Sequence, residues 1–240
     1  MKSRIWAGLA IALFAASSVM AAESTLKFNP RSEEFKRSGL WWSMSIINPA
    51  APDTDGVHST VAVGTSTASY TFTSAEAIVH TAGVAGRARN ITVNFFDNTG
   101  ANNNGVPNAG TAIVTGKNLL NETITETFTS TDNTANTVTG AQAFKSVTSV
   151  ACTAGDDAGY CVSIGFGNKF GFPTTLLATT QVLLTDVDGS VDGSATVTAD
   201  NDEIEKNGIT WNTAPNGSRD FQVMGWTSPY PTLTSATAGW

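Results

Sequence analysis

The chain has 240 residues, of which 41% are hydrophobic and only 14% charged, and its formal net charge is −7. An ordinary soluble domain has about 25% charged residues, so Thr, Ser, Asn and Gly must cover much of this surface. About one residue in seven is Thr, and β-branched side chains suit strands better than helix interiors, which excludes a mostly helical fold.

The charges are unevenly distributed along the chain. From Met44 onward there are seven basic and seventeen acidic side chains, a formal charge of −10. A surface of this sign repels phosphate, so the sequence predicts no direct binding of nucleic acid.

The N-terminus has the pattern of a secretory signal. Basic residues precede an apolar run from Ile5 to Val19, and small residues follow up to Ala21, which predicts cleavage before Ala22. The alternative is that the apolar segment stays on the protein as a helical packing segment. The run is too short for a stable membrane span.

A polar linker of mixed charge follows and ends at Trp41 and Trp42. Successive side chains of a strand alternate, so the two indoles cannot both face one interior. At least one is expected to pack on a neighbouring element or on a partner. Both are candidate interface residues, and residues 1–43 are interpreted as an arm that precedes the body.

The body, residues 44–226, consists of short runs separated by Gly, Asn, Asp and Pro. The predicted strands are 57–63, 69–73, 88–96, 112–115, 122–129, 144–150, 161–165, 180–185, 195–199, 209–213 and 221–225. This spacing predicts an all-β fold, an antiparallel β-sandwich of the jelly-roll or Ig-like type. Glu126 falls on the apolar face of its strand, which indicates a sheet edge.

The segment after the body, residues 227–240, is predicted to be an extended tail ending in Trp240, a third candidate interface residue. Cys152 and Cys161 bracket a turn-rich segment. They form a candidate disulfide closing a small hairpin if the chain is exported, and stay reduced if it folds in the cytoplasm. Their spacing lacks the companion ligands of a zinc site.

The acidic segment 186–193 has two possible interpretations, a calcium-binding loop and a hairpin. An EF-hand needs Gly at its sixth and Glu at its twelfth position, where this chain has Val191 and Val197. The Asp-Gly pair Asp188-Gly189 instead favours a tight hairpin turn.

Catalytic and cofactor motifs are lacking. His58 and His80 belong to no metal or nucleophile pattern, and each is interpreted as a packed strand histidine. The glycines Gly165, Gly167 and Gly171 are interpreted as turns, since no helix pattern follows them as in a nucleotide-binding loop. The sequence therefore predicts a protein that is not an enzyme and holds no cofactor or metal.

Five segments in order resemble a family of small structural proteins of tailed bacteriophages. They are MSIINPAAPDTDGVH, GRARNITVNFFD, TAIVTGKNLLNETITETFT, TVTGAQAFKSVTSV and CVSIGFGNKFGFP. The resemblance extends weakly to Trp226, with Asn168 where Asp is common and with segments 97–110 and 152–161 resembling insertions. Similar proteins would begin near Met44.

The resemblance implies a non-enzymatic virion protein of the decoration, collar or tail-associated type. Its partners would be other virion proteins and copies of itself, in a homo-oligomer. The signal-like terminus supports a different class, a secreted, periplasmic or cell-surface β-sandwich module such as an adhesin. A secreted hydrolase is the third class, disfavoured because no catalytic set is recognisable.

Overall fold

The computed structural model describes residues 40–73, 87–98, 106–107, 109–131 and 134–227. In these ranges every strand pairing is antiparallel, and the helices are single 3-10 turns at Thr179–Gln181 and Ile204–Lys206. The prediction of an all-β chain is confirmed. The predicted N-terminal helical segment, His80 and Trp240 lie outside the described residues. Over the same ranges, no helix has the length and apolar character needed to cross a membrane.

The strands follow one another at short intervals. They are β1 (Leu40–Ile47), β2 (Asp53–Ala62), β3 (Ala68–Thr71), β4 (Arg89–Asp97), β5 (Thr111–Lys117), β6 (Thr123–Thr129), β7 (Asn136–Phe144), β8 (Ser146–Cys152), β9 (Tyr160–Gly171), β10 (Val182–Val187), β11 (Ser190–Val191), β12 (Thr196–Thr198), β13 (Gly208–Thr210) and β14 (Asp220–Thr227). Every predicted strand overlaps one of these, whereas β1, β7 and β11 were not predicted.

The strands form three sheets. Sheet A has the order β1-β14-β10-β11, and sheet C the order β3-β8-β5-β6. Sheet B has the order β12-β13-β9-β4-β7, and β2 also pairs with β9. Consecutive neighbours in sheets A and B are often distant in the chain, so most of this architecture depends on non-local pairing.

Two apolar clusters stabilise the sheets. Core 1 takes its side chains from both sheet B and sheet C, for example Phe95 and Ile164 from one and Val114 and Phe128 from the other. Core 2 lies under sheet A and joins it to the far end of sheet B. Its buried members are Met44, Ile46, Phe170, Phe172, Leu176, Val187, Ile209, Trp211, Phe221 and Val223.

Strand β1 spans the predicted boundary between arm and body. The expected linker ending at residue 43 contains the first half of β1, which pairs with β14 from Leu40↔Thr227 to Ile47↔Asp220. The boundary at Met44 was therefore placed inside a strand. The alternation typical of a strand is confined to WSMSI, from Trp42 to Ile46, and adjacent apolar residues interrupt it at both ends, so the pattern is too short to predict the strand.

The three glycines predicted to be turns lie within β9 instead. A Cβ on Gly165 would lie 1.9 Å from the carbonyl oxygen of Asp53, and one on Gly167 would lie 2.6 Å from the Asn90 side chain. These glycines therefore let β2 and the Asn90 amide approach the strand closely, a recognised use of glycine inside strands.

Candidate interaction surface

The two faces of sheet A have different environments. The even-numbered residues of β1 turn inward, where Met44 and Ile46 belong to core 2 and Trp42 packs against it. Because side chains alternate along a strand, the odd-numbered residues turn outward. The prediction that Trp41 and Trp42 do not face the same interior is thus confirmed.

Cross-strand register arranges the outward side chains in rows. The first row holds Trp41 and Trp226. The second row holds Ser43, Met224 and Leu184. The third row is polar and holds Ser45, Gln222, Asp186 and Val191, of which only Val191 is apolar. The outer face therefore has an apolar end, formed by the first two rows.

The apolar end is open to solvent. Trp41 is 61% exposed and Met224 is 41% exposed, while Trp226 and Leu184 are partly buried. Leu183, 53% exposed, lies beside them where the β10–β14 register shifts. A contiguous group of exposed apolar side chains on a soluble surface marks an interaction site more often than isolated ones do.

Trp42 is an internal anchor. Its ring centroid lies 5.0 Å from that of Phe172, and a Cβ on Gly225 of β14 would lie 2.5 Å from the indole. Gly225 therefore leaves the space that Trp42 occupies. Of the three predicted interface residues, Trp41 is on the surface, Trp42 is half-buried against core 2, and Trp240 is outside the described residues.

The free edge of β1 presents backbone groups. The Asn48 N–H donates to the Arg219 carbonyl at 3.0 Å, and alternation places the hydrogen-bonded pairs with β14 at the even-numbered residues. The N–H and C=O groups of Trp41, Ser43, Ser45 and Ile47 consequently point away from β14. Within the described part of the chain, β14 is the only strand that pairs with β1.

The Arg87 side chain reaches this edge. Arg87 Nη2 donates to the Ser45 carbonyl oxygen at 3.0 Å. The guanidinium is half-buried, and desolvation lowers the pKa of Arg87. No local sequence pattern indicates this contact, because Arg87 and β1 are distant in the chain.

The opposite edge of sheet A is short and acidic. Asp188 and Gly189 have φ values of 53° and 82°, the left-handed pair of a type I′ turn between β10 and β11. The predicted hairpin is therefore confirmed. Asp186 Oδ1 accepts the Gly189 N–H at 2.8 Å, and Asp188 Oδ1 accepts the Asp220 N–H at 2.8 Å. These carboxylates cap backbone donors.

Glu126 lies on β6, an edge strand of sheet C, as predicted. Its Oε1 accepts the Ala141 N–H of β7 at 2.6 Å, and Gly140 leaves room for the carboxylate. Lys169 Nζ donates to the carbonyl oxygen of the same residue, Ala141, at 2.6 Å. Burial raises the pKa of Glu126 and lowers that of Lys169, and each charge partly offsets the effect on the other.

The cysteines lie on different sheets. Cys152 ends β8 in sheet C and faces core 1, and Cys161 is in β9 of sheet B. Residues 153–159 therefore connect two sheets and do not form the predicted hairpin. Both cysteines are buried and free, and burial raises the pKa of both thiols. Strand alternation turns Cys161 to the face opposite Tyr160 and Val162, so pairing would need β9 to rearrange. Pairing in an exported chain stays a prediction.

His58 is a packed strand histidine, as expected. Its ring centroid lies 4.3 Å from that of Tyr70 and 5.7 Å from that of Phe72, and Nε2 is 3.0 Å from the Thr60 carbonyl oxygen. The imidazole is thus held against the aromatic edge of core 1.

Comparisons with protein-family models, curated proteins and solved structures give no match to this chain. The resemblance to phage structural proteins consequently rests on the order of the five sequence segments alone. The surface most suited to interaction is the apolar end of sheet A together with the edge of β1.

Proposed function

We propose that this chain is a non-enzymatic structural protein of a tailed-phage virion, with its partners among other virion proteins and copies of itself. The observation that carries the proposal is the apolar end of the outer face of sheet A. The proposal rests on that surface because a fold alone is compatible with many functions.

We also propose that the body is a β-sandwich of the jelly-roll or Ig-like type. Core 1 receives side chains from sheets B and C, which supports two sheets packed face to face. In such a body sheet A is an additional layer, supported by core 2, that presents a surface to neighbours.

The surface favours assembly for an energetic reason. Removal of exposed aromatic and apolar groups from water lowers the free energy of association, by about 25 cal/mol per Å² of apolar area buried. Truncation of a tryptophan at the centre of an interface often weakens the binding free energy by at least about 2 kcal/mol. Trp41 is the group expected to contribute most.

The test is to produce the full chain in cells that also assemble the phage particles. The particles are then separated from the culture medium on a density gradient. Quantitative mass spectrometry would measure the chain relative to an abundant particle protein. We expect co-banding, reduced about tenfold by Trp41→Ser or Met224→Ser. Val191→Ser is the matched control, because Val191 is 70% exposed but lies in the polar row.

Two results would contradict the proposal. One is a Trp41→Ser chain that co-bands as well as the wild type. The other is a chain found only in the medium with Ala22 as its first residue, which would favour the secreted or cell-surface module indicated by the signal-like segment.

A further inference from the structure

Within the residues that the structure describes, β1 is an edge strand without the usual protection against pairing. It has eight residues and contains neither a charged side chain nor proline. Natural proteins protect edge strands with charges, prolines, bulges or short length. Its pairing with β14 runs through all eight residues without a register shift.

The other edges of these sheets differ from it. Strand β11 has two residues and β12 has three. Strand β6 has the inward charge of Glu126, and β3 has four residues. Strand β7, the other edge of sheet B, has nine uncharged residues, but its pairing with β4 has a register shift and Glu126 of β6 accepts its Ala141 N–H. Strand β2 contains Asp53 and Asp55, and its pairing with β9 has register shifts. Among the described strands, β1 thus combines length, regularity and lack of charge at an edge.

We infer that β1 pairs antiparallel with β1 of a second copy of this chain, about a two-fold axis at Met44. In this register Trp41 is opposite Ile47 of the second copy, and Ser43 is opposite Ser45. All four residues whose backbone groups point to the edge then find partners, which gives about eight backbone hydrogen bonds.

The partner is a second copy because the strand is complementary to itself. Trp41 and Ile47 are 61% and 57% exposed and face outward at opposite ends of β1. The two-fold axis brings each against the other, an aromatic and β-branched pair that stabilises neighbouring strands. The serines between them are small and uncharged, and a two-fold contact closes at a dimer.

Arg87 competes with the second copy for one acceptor. The Ser45 carbonyl oxygen that Arg87 occupies is the one that would receive the Ser43 N–H of the second copy. Both guanidinium groups of the dimer therefore compete with an incoming N–H for this oxygen. Arg87 limits the association at this one acceptor.

The inference deepens the proposed function, on which it rests for its biological role: it assigns the contact between copies to the edge of β1. The apolar end of the outer face then remains available to a different virion protein. In this register the two apolar ends lie at opposite ends of the paired strands, and Ile47 of each subunit adds one apolar side chain to the first row of the other.

The experiment compares Ser45→Lys with Gln222→Lys in the full chain by sedimentation velocity over a range of concentrations. The two positions are cross-strand partners on the same face, one at the edge and one in the strand next to it. We expect a wild-type dimer, weakened about tenfold or more by Ser45→Lys and less than about threefold by Gln222→Lys.

Thermal melting of each variant checks the fold, and Ser43→Pro is the second edge variant. Proline at this position removes an N–H that points to the edge, so the pairing with β14 is kept. We expect Ser43→Pro to weaken the dimer as well.

A wild-type chain that stays monomeric would overturn the inference but leave the particle test of the proposed function unaffected. Equal weakening by Ser45→Lys and Gln222→Lys would assign self-association to the outer face and also overturn the edge. Undiminished association in both edge variants would assign it to another surface.

Discussion

The edge of β1 and the edge of β6 lie on different sheets and differ in the side chains that meet them. At β6, the Glu126 carboxylate accepts backbone N–H groups of β7, so two sheet edges are joined by one side chain. At β1, four residues direct backbone groups outward, and Arg87 reaches one of them. A charged side chain thus closes the edge that is joined within the molecule, whereas the edge proposed to pair with a second copy has no charged residue of its own.

The largest expected effect separates the two faces of β1. Trp42→Ala should lower the free energy of unfolding by about 3 kcal/mol, because it removes an indole packed on core 2. Trp41→Ala should change it by less than about 0.5 kcal/mol, since that indole is on the surface. Chemical denaturation measures both. Equal losses of unfolding free energy in the two variants would mean that another part of the same chain covers the outer face.

The next effect tests the closed edge. Glu126→Ala should cost about 1–3 kcal/mol, because the Ala141 and Gln142 N–H groups lose their acceptor. Thr125→Ala is the control, an exposed neighbour on the same strand whose loss should cost at most about 0.5 kcal/mol. If both variants unfold at the same denaturant concentration, Glu126 does not hold the two edges together.

The strands were largely predictable, while their partners were not. The inward Glu126 indicated an edge because its charge interrupts an apolar alternation within a few residues. The second row of the outer face was not predicted, because Met224 and Leu184 become neighbours only through pairing of distant segments. Likewise β7 is not predicted, since Val138 and Phe144 are the only large apolar residues of its inward face and Gly140 and Gln142 stand between them. Local patterns specify strands, but rows and edges depend on non-local register.

A smaller effect concerns pH. The folded pKa of Glu126 is raised, mainly by desolvation, so the folded state retains this proton above the ordinary pKa of Glu. The resulting stability is present at low pH and is lost as pH rises through the raised pKa. Acidification from about pH 7 to about pH 5 should therefore favour the wild type relative to Glu126→Gln. Glu122→Gln is the matched control for the change of charge, made on an exposed side chain just before the same strand. A Glu126→Gln chain with the wild-type pH profile would contradict this assignment.

The smallest effect is a gain of association. Arg87→Ala frees the Ser45 carbonyl oxygen and should tighten the dimer about threefold, about 0.6 kcal/mol. Arg219→Ala is the matched control, because Arg219 also donates to a backbone carbonyl, that of Ala214 at 2.8 Å. Sedimentation velocity at one protein concentration distinguishes the two. Weaker association in Arg87→Ala would show that Arg87 supports the edge and does not compete for it.

The most direct test of the open edge is residue-level amide hydrogen exchange along β1 at low and high protein concentration. The N–H groups of Trp42, Met44 and Ile46 are bonded to β14 and should be protected at both concentrations. Those of Trp41, Ser43, Ser45 and Ile47 should exchange rapidly in the dilute protein and become protected as concentration rises. Unchanged exchange at these four residues, in a sample that has become dimeric, would contradict pairing through β1.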